Sequence, residues 1–185
     1  SHIIKGKAHR QALAEQQKVW IAASTHEGED ARLLTIHKAI RKTFPDALLI
    51  LVPRHPERFE AVFQLALSQK FLTYKRSQCE YIPADAEVFV VDSMGELLDF
   101  YAASSIAFIG GSLVDVGGHN PIEPGALGLP IIMGPHVFNF EAICQKLIAV
   151  GGLLLAEDDR ALQNYVLSLM TDAEKAKQIG GAALA

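Results

Sequence analysis

The side chains best placed to do chemistry lie in a stretch rich in glycine and proline, GGSLVDVGGHNPIEP, at positions 110–124. Asn120 and Pro121 predict the start of a helix there, because asparagine is a good N-cap and proline suits the first turn. Such a start directs free amide groups and a positive dipole end outward, where they attract an anion. Glu123, in that first turn, is a candidate hydrogen-bond acceptor for a ribose diol. A carboxylate there also favours the dipole without any ligand, and paired glycines also serve turns.

Further polar residues follow other apolar runs. Arg54 comes directly after a buried run and is either a surface residue or a clamp for a phosphate or carboxylate. Ser93, Met94 and Gly95 open another predicted helix in the same way. Histidines recur in these loops, and each alone is more often structural than catalytic. Together the four favour a site for a polar ligand; they are His26, His55, His119 and His136.

Several common catalytic and nucleotide-binding motifs are absent from the sequence. It contains no GxxxxGK[ST] loop, no GxGxxG after the first strand, no complete HExxH and no GxSxG elbow. Asp and Glu do not cluster with the spacing of metal ligands. We therefore expect no cofactor and no metal. A nucleotide with few phosphates, held by the amino ends of helices, fits what remains.

These loops are expected to meet because apolar strands alternate with amphipathic helices along the chain. Strands are predicted at 19–24, 47–53, 71–77, 87–93, 106–111, 129–135 and 152–157, and helices at 29–44, 58–69, 94–105, 140–151 and 158–170. Asp158 is the predicted N-cap of the last of these helices. The alternation predicts an α/β fold, a Rossmann-like parallel sheet with helices on both faces. Ligands of such sheets bind at the carboxyl ends of the strands.

Composition narrows the possible partners and the domain organisation. The formal net charge of −4 argues against nucleic acid, which requires a basic face. The basic pairs Arg41-Lys42 and Lys75-Arg76 are interpreted as solvated ends of helices or strands. Cys79 and Cys144 are interpreted as inert thiols. No apolar run is long enough to cross a bilayer. Residues 1–18 are expected to be a lead segment, partly an expression scar, and residues 19–185 one nucleotide-binding domain taken from a larger protein.

Five segments closely resemble the carboxyl-terminal half of the 3-deoxy-D-manno-octulosonic acid (Kdo) transferases, bacterial enzymes of lipopolysaccharide synthesis. They are STHEGED, PRHPERF, DSMGEL, FIGGSLVDVGGHNPIEP and GLPIIMGPHVFNF, and the likeness runs from about Trp20 to the end. The resemblance implies a GT-B glycosyltransferase, in which two Rossmann-like domains face each other across a cleft. Such an enzyme transfers Kdo from CMP-Kdo to the lipid A precursor, with inversion and without metal. The carboxyl-terminal half would bind the donor.

The same resemblance implies what the other half of the enzyme supplies. A missing amino-terminal domain would bind the lipid acceptor, carry the only membrane association and provide the glutamate general base. The full-length protein is then expected at the cytoplasmic face of the bacterial inner membrane, and this fragment is expected to be soluble. We expect the fragment to bind CMP or CMP-Kdo without catalysing transfer, because nothing in it would activate the acceptor hydroxyl.

The resemblance also assigns residues to the nucleotide. Those implied to contact CMP or line its site are Pro53, Arg54, Met94, Gly95, Glu96, Asn120, Pro121, Ile122 and Glu123. Arg54 would lie near the phosphate and Glu123 near the ribose. The floor of the cleft would be shaped by Ser24, Thr25, Gly111 and Ser112. Two alternatives remain at this stage: the donor half of another GT-B enzyme that uses a UDP-sugar, and a non-catalytic nucleotide-binding module.

Overall fold

One parallel sheet of seven strands organises the computed structural model, which describes residues 18–184. The strands are β1 (Val19–Thr25), β2 (Leu48–Pro53), β3 (Thr73–Lys75), β4 (Val88–Val90), β5 (Ile106–Ile109), β6 (Ile131–Met133) and β7 (Leu153–Leu155). Their order is β3-β4-β2-β1-β5-β6-β7. The order reverses direction between β1 and β5, the position at which open α/β sheets form a ligand crevice. The predicted lead segment lies outside the described residues, apart from Lys18.

The sheet has apolar cores on both of its faces. Along β1, Trp20 and Ala22 belong to one core while Val19 and Ile21 belong to the other. Both cores form because successive side chains of a strand point to opposite faces, and a strand covered on both sides needs an unbroken apolar run. The predicted fold class, a parallel sheet with helices on both faces, is confirmed.

Between residues 18 and 184, seven α-helices pack around the sheet. They are α1 (Asp30–Thr43), α2 (Phe59–Ser68), α3 (Leu97–Ala102), α4 (Ile122–Ala126), α5 (Glu141–Ala149), α6 (Asp159–Thr171) and α7 (Ala173–Leu184), with short 3-10 turns at Pro56–Arg58 and Arg76–Gln78. The predicted N-cap of α6 is confirmed, since a carboxylate oxygen of Asp158 accepts a hydrogen bond from the Ala161 amide at 2.8 Å. Within residues 18–184, no helix combines the length and apolar character that a membrane crossing requires.

Two elements near the crevice are shorter than the sequence predicts. The strand predicted over 87–93 ends at Val90, because Asp92 turns aside to accept hydrogen bonds from the amide and hydroxyl of Ser77. The helix predicted from Pro121 begins at Ile122. Its Asn120 side chain accepts a hydrogen bond from the Ile122 amide at 2.9 Å, an Asx turn that precedes the helix.

The two arginines interpreted as solvated have protein partners instead, so that prediction is wrong for both. Arg41 donates to the carbonyl of Ala47 and forms an ion pair of 2.6 Å with Glu87. Arg76 forms an ion pair with Glu96, and it also donates to the carbonyls of Cys79 and Glu80. Each guanidinium thereby joins segments that are distant in sequence, which a local basic pair does not reveal.

A buried histidine joins α1 to the sheet. His37 is fully buried, and its Nδ1 accepts a hydrogen bond from Trp20 Nε1 at 3.0 Å. Because the indole can only donate, the imidazole proton lies on Nε2, which donates to the carbonyl of Glu87 at 2.8 Å. Burial lowers the pKa of His37 from 6.5 to about 3. The ring is therefore neutral in the folded protein near neutral pH.

We expect His37 to make the fold sensitive to acid. Its folded pKa lies below the unfolded value of 6.5, so its stabilising effect is complete above that pH and is lost as the pH falls towards 3. At about pH 5 the loss should be about 2 kcal/mol. Urea titrations of the parent and of His37→Gln at two pH values measure it. The parent should lose about 2 kcal/mol more than the variant on acidification, and equal losses would refute the assignment.

Candidate functional site

A cleft of about 200 Å³ opens at the carboxyl ends of β1, β2 and β4. It is lined by Ser24, Val52, Pro53, Arg54, Ser93, Met94, Gly95 and Leu97. The structure thus brings together five residues that the sequence assigned to the nucleotide site: Ser24, Pro53, Arg54, Met94 and Gly95. They converge because parallel strands release their following loops at the same edge of the sheet.

Arg54 provides an uncompensated positive charge in this cleft. Its amide donates to the carbonyl of Thr25 at 2.9 Å, while its side chain is exposed. Within residues 18–184, its guanidinium has no hydrogen-bond or ion-pair partner. The neighbouring Arg58, in contrast, pairs with the buried carboxylate of Asp30, which also accepts a hydrogen bond from the Thr25 hydroxyl. Arg54 is therefore available for an external anion, and Thr25 supports the loop from within.

Ser24 has a backbone conformation that is unusual for a residue with a side chain. Its φ is 58°, at the point where the pairing of β1 with β2 shifts register. Gly110 directly follows the adjacent strand β5, and its amide donates to the carbonyl of Ala23 at 2.6 Å. A Cβ atom on Gly110 would lie 2.3 Å from the carbonyl oxygen of Ser24, so only glycine fits. The close approach of the Ser24 carbonyl therefore explains why the polar stretch begins with glycine at position 110.

Glu29 is a central residue of the loop that sequence reasoning missed. Its side chain is fully buried, and its carboxylate accepts hydrogen bonds from the amides of His26 at 2.9 Å, Gly111 at 2.7 Å and Leu113 at 3.0 Å. Burial raises its pKa, and these backbone hydrogen bonds oppose the rise. The carboxylate joins the loop after β1 to the loop after β5. In sequence it looks like an ordinary acidic residue at the start of a helix.

Gly111 and Ser112 form the base of the loop that follows β5. The Gly111 carbonyl accepts hydrogen bonds from the amides of Gly117 and Gly118, at 3.1 and 2.9 Å. Ser112 is fully buried, and its hydroxyl donates to the carbonyl of Ile109 and accepts from the amide of Gly134. Both residues therefore support the site structurally, and the hydroxyl of Ser112 is occupied in joining β5 to β6.

The segment before α3 contains two kinds of residue: some are exposed at the cleft, and one forms hydrogen bonds within the protein. Met94 is 62% exposed at the cleft, and Gly95 has a φ of 82° with open space where a side chain would lie. Glu96 differs, because its carboxylate pairs with Arg76 at 3.0 Å and accepts a hydrogen bond from the Ser93 hydroxyl. The side chain of Glu96 therefore fixes the loop, while Met94 and Gly95 face the cleft.

The predicted residues at 120–123 lie apart from the lining of this cleft. Pro121 and Ile122 line a different depression of about 330 Å³, together with residues of α5 and α7. Glu123 is exposed on α4, and its negative charge adds to the effect of burial in raising the pKa of Tyr101 on α3. Asn120 is exposed and caps the turn before α4. The sequence grouped these residues with Arg54, but the structure places them on the neighbouring segment.

Three of the four predicted histidines form a cluster beside Arg54. His26 Nε2 and His119 Nε2 are 2.7 Å apart, and the two rings are nearly parallel. The ring of His55 meets that of His26 edge-on, with centroids 5.3 Å apart. Burial and the surrounding positive groups lower the pKa of His26, and they lower that of His119 to about 4. His136 lies elsewhere, 3.9 Å from a carboxylate oxygen of Asp115.

In the part of the chain that the structure describes, no group of three or more His, Cys, Asp and Glu side chains has an arrangement that could hold a metal ion. The histidine cluster is instead surrounded by arginines. Such an environment favours an anionic ligand.

Comparison with known sequences finds transferases. A 3-deoxy-D-manno-octulosonic acid transferase from Haemophilus influenzae is 45% identical over 169 residues, covering 91% of this chain and 40% of the relative. One from Bordetella pertussis is 38% identical over 183 residues, covering 96% of this chain and 42% of the relative. The chain thus spans about two fifths of the length of these relatives. No protein-family model matches it.

Comparison with solved structures agrees with the comparison of sequences. The C-terminal CMP-Kdo binding domain of WaaA from Acinetobacter baumannii superposes with a TM-score of 0.93 at 34% identity, covering 98% of this chain and 95% of that one. UDP-GlcNAc 2-epimerase from Neisseria meningitidis, bound to UDP-GlcNAc, superposes with a TM-score of 0.61 at 13% identity. The second likeness shows a common fold alone.

Proposed function

This chain belongs to the family of 3-deoxy-D-manno-octulosonic acid transferases, and from that premise we propose that it binds CMP-Kdo as the donor domain of such an enzyme. The observation that carries the proposal is the free guanidinium of Arg54 in a cleft at the carboxyl ends of β1, β2 and β4. The near-complete superposition on a CMP-Kdo binding domain supports it.

Arg54 binds the phosphate of the donor in this proposal. Its position at the end of a buried strand fixes the backbone, and its exposed side chain can reach an anion without first breaking a bond to the protein. A guanidinium donates two parallel hydrogen bonds to phosphate, which adds orientation to charge attraction. Met94 and Gly95 contact the nucleotide beside it, since one offers an exposed apolar side chain and the other open backbone.

Glu123 binds the ribose in the same proposal, with Asn120, Pro121 and Ile122 shaping the approach to it. The carboxylate of Glu123 is exposed, so it is free to accept hydrogen bonds from a diol. The segment lies beside α3, whose preceding loop lines the cleft at Met94. A nucleotide would then extend from Arg54 towards α4.

The whole enzyme has a wider role, which we propose from the family. It transfers Kdo from CMP-Kdo to the lipid A precursor in lipopolysaccharide synthesis, with inversion and without metal, at the cytoplasmic face of the bacterial inner membrane. An amino-terminal domain beyond this chain supplies the general base, the acceptor site and the membrane association. The fragment alone is expected to bind donor without transferring Kdo, because its cleft offers anion contacts but no group assigned to activate the acceptor hydroxyl.

Calorimetric titration of the 185-residue chain with CMP and with UMP tests the proposal. We expect CMP to bind at least about tenfold more tightly, because a site that hydrogen-bonds one base leaves polar groups unpaired against the other. The two ligands share ribose and phosphate, so the difference reports on the base. Tighter binding of UMP would instead favour a donor half that uses a UDP-sugar. Equal affinities, or no binding of either nucleotide, would contradict the proposal.

A further inference from the structure

The geometry points to a second anion subsite, in which His26, His55 and His119 bind the carboxylate of the donor's sugar acid together with one proton from solvent. This inference rests on the proposed function, because it concerns the sugar end of the same donor. It goes further in assigning the cluster beside Arg54 to the carboxylate. It also predicts that donor binding depends on pH in a way that nucleotide binding does not.

The contact between His26 and His119 fixes how many protons the pair holds. At 2.7 Å, one Nε2 must carry a hydrogen and the other must present its lone pair. Within residues 18–184, neither Nδ1 atom has a hydrogen-bond partner. In the neutral pair, one Nδ1 carries a hydrogen and the other does not. A single added proton on the bare Nδ1 gives the pair one positive charge and two Nδ1–H donors while keeping the Nε2 contact.

The charges around the pair oppose that proton until an anion arrives. His26 faces His55, Arg58 and Arg54, whose charges lower its pKa in addition to burial, and only Asp30 acts in the opposite direction. That carboxylate is already paired with Arg58. The cluster therefore contains more positive charge than negative charge.

The pKa of His119 is lowered in the same way, first by burial and then by the charges of His26, Arg54 and His55. In the described part of the chain, no carboxylate acts against them. Glu29 contacts the His26 amide, but three backbone hydrogen bonds occupy its carboxylate. A bound carboxylate would reverse the balance of charge. It would raise the pKa of the pair and draw in a proton.

The chemistry of the donor matches two neighbouring anion sites. In a 3-deoxy-octulosonic acid the carboxylate is attached to the anomeric carbon, which in the activated donor also bears the phosphate. The carboxylate and phosphate therefore lie only a few bonds apart. Arg54 lies close enough to both His26 and His119 to influence their pKa values. With phosphate on Arg54, the adjacent carboxylate would lie within reach of the histidine cluster.

The test compares two ligands of equal phosphate charge, CMP-Kdo and the methyl ester of cytidine 5′-phosphate, which lacks the carboxylate. Calorimetry of the 185-residue chain should give an affinity for CMP-Kdo that rises about tenfold from about pH 8 to about pH 6, with proton uptake. The methyl ester should change less than about twofold. Buffers with different ionisation enthalpies measure the proton count directly.

Glutamine variants test whether the histidine cluster takes up the proton that accompanies donor binding. His119→Gln keeps an amide in place of Nε2 but cannot gain a proton, so it should abolish the pH dependence of CMP-Kdo binding. His26→Gln provides a second measurement if the first variant folds poorly. The matched control is His136→Gln, outside the cluster, which should retain the parent's pH dependence.

The possible outcomes separate the two proposals. A flat pH profile for CMP-Kdo, or an unchanged profile in both cluster variants, would overturn the carboxylate subsite while leaving nucleotide binding intact. Failure of the parent to bind either ligand would overturn the proposed function and the subsite together. Binding of both ligands, with pH dependence confined to CMP-Kdo and lost in the cluster variants, would support both proposals.

Discussion

Replacing Arg54 with alanine is expected to weaken CMP binding by about 30- to 150-fold, because hydrogen bonds to charged groups are worth about 2 to 3 kcal/mol. The guanidinium has no internal partner among residues 18–184, so its removal leaves no buried charge unpaired. The effect should therefore appear in affinity, with little change in the free energy of unfolding. Calorimetric titration and urea unfolding of the same protein preparation measure both quantities.

Two further variants test whether the effect belongs to the site. Arg160→Ala removes an exposed arginine from α6, and it should leave CMP affinity within about twofold of the parent. Arg54→Lys keeps the charge but loses the two-pronged donor, so an intermediate loss is expected. If Arg54→Ala binds CMP as tightly as the parent does, the phosphate is bound elsewhere.

Replacing Glu29 with glutamine is expected to lower the free energy of unfolding by about 3 kcal/mol. The carboxylate accepts hydrogen bonds from three amides that would otherwise be buried and unpaired. Glutamine keeps one acceptor oxygen, but its amino group presents hydrogens to an amide that also donates. The loops after β1 and β5 should separate locally, so CMP affinity should also fall. Urea unfolding and calorimetry measure these two effects.

The control for that variant is the neighbouring carboxylate. Glu27 is exposed, and Glu27→Gln should change the free energy of unfolding by less than about 0.5 kcal/mol. Stability equal to that of the parent in Glu29→Gln would contradict the account of Glu29 as the residue that joins the two loops.

The central strands and the crevice could be predicted because they depend on local apolar pattern. Residues 48–53 are buried throughout, and their unbroken apolar run predicts a strand covered on both faces. The order of strands and helices then fixes which loops share an edge of the sheet. This reasoning placed Arg54 and Met94 in one cleft without any tertiary information.

The interactions that build the site in detail could not be predicted in this way. Glu29 binds amides more than 80 residues away, and Arg76 binds a carboxylate 20 residues away, across a strand and a loop. Only a tertiary structure reveals such pairs. The prediction for Pro121 failed locally, because the Asn120 side chain satisfies an amide in a turn and delays the helix by one residue.

The proposal that CMP binds in the cleft with its phosphate on Arg54 is tested by amide chemical-shift mapping of the labelled chain during titration with CMP. We expect the largest changes at residues 24–26, 54–55 and 93–95, where the loops after β1, β2 and β4 meet, and at Asn120, Ile122 and Glu123 beside the ribose. We also expect these changes to disappear in Arg54→Ala at the same ligand concentration. Changes concentrated instead around Ile143, Leu147 and Ala183, in the depression beside α5 and α7, would contradict it.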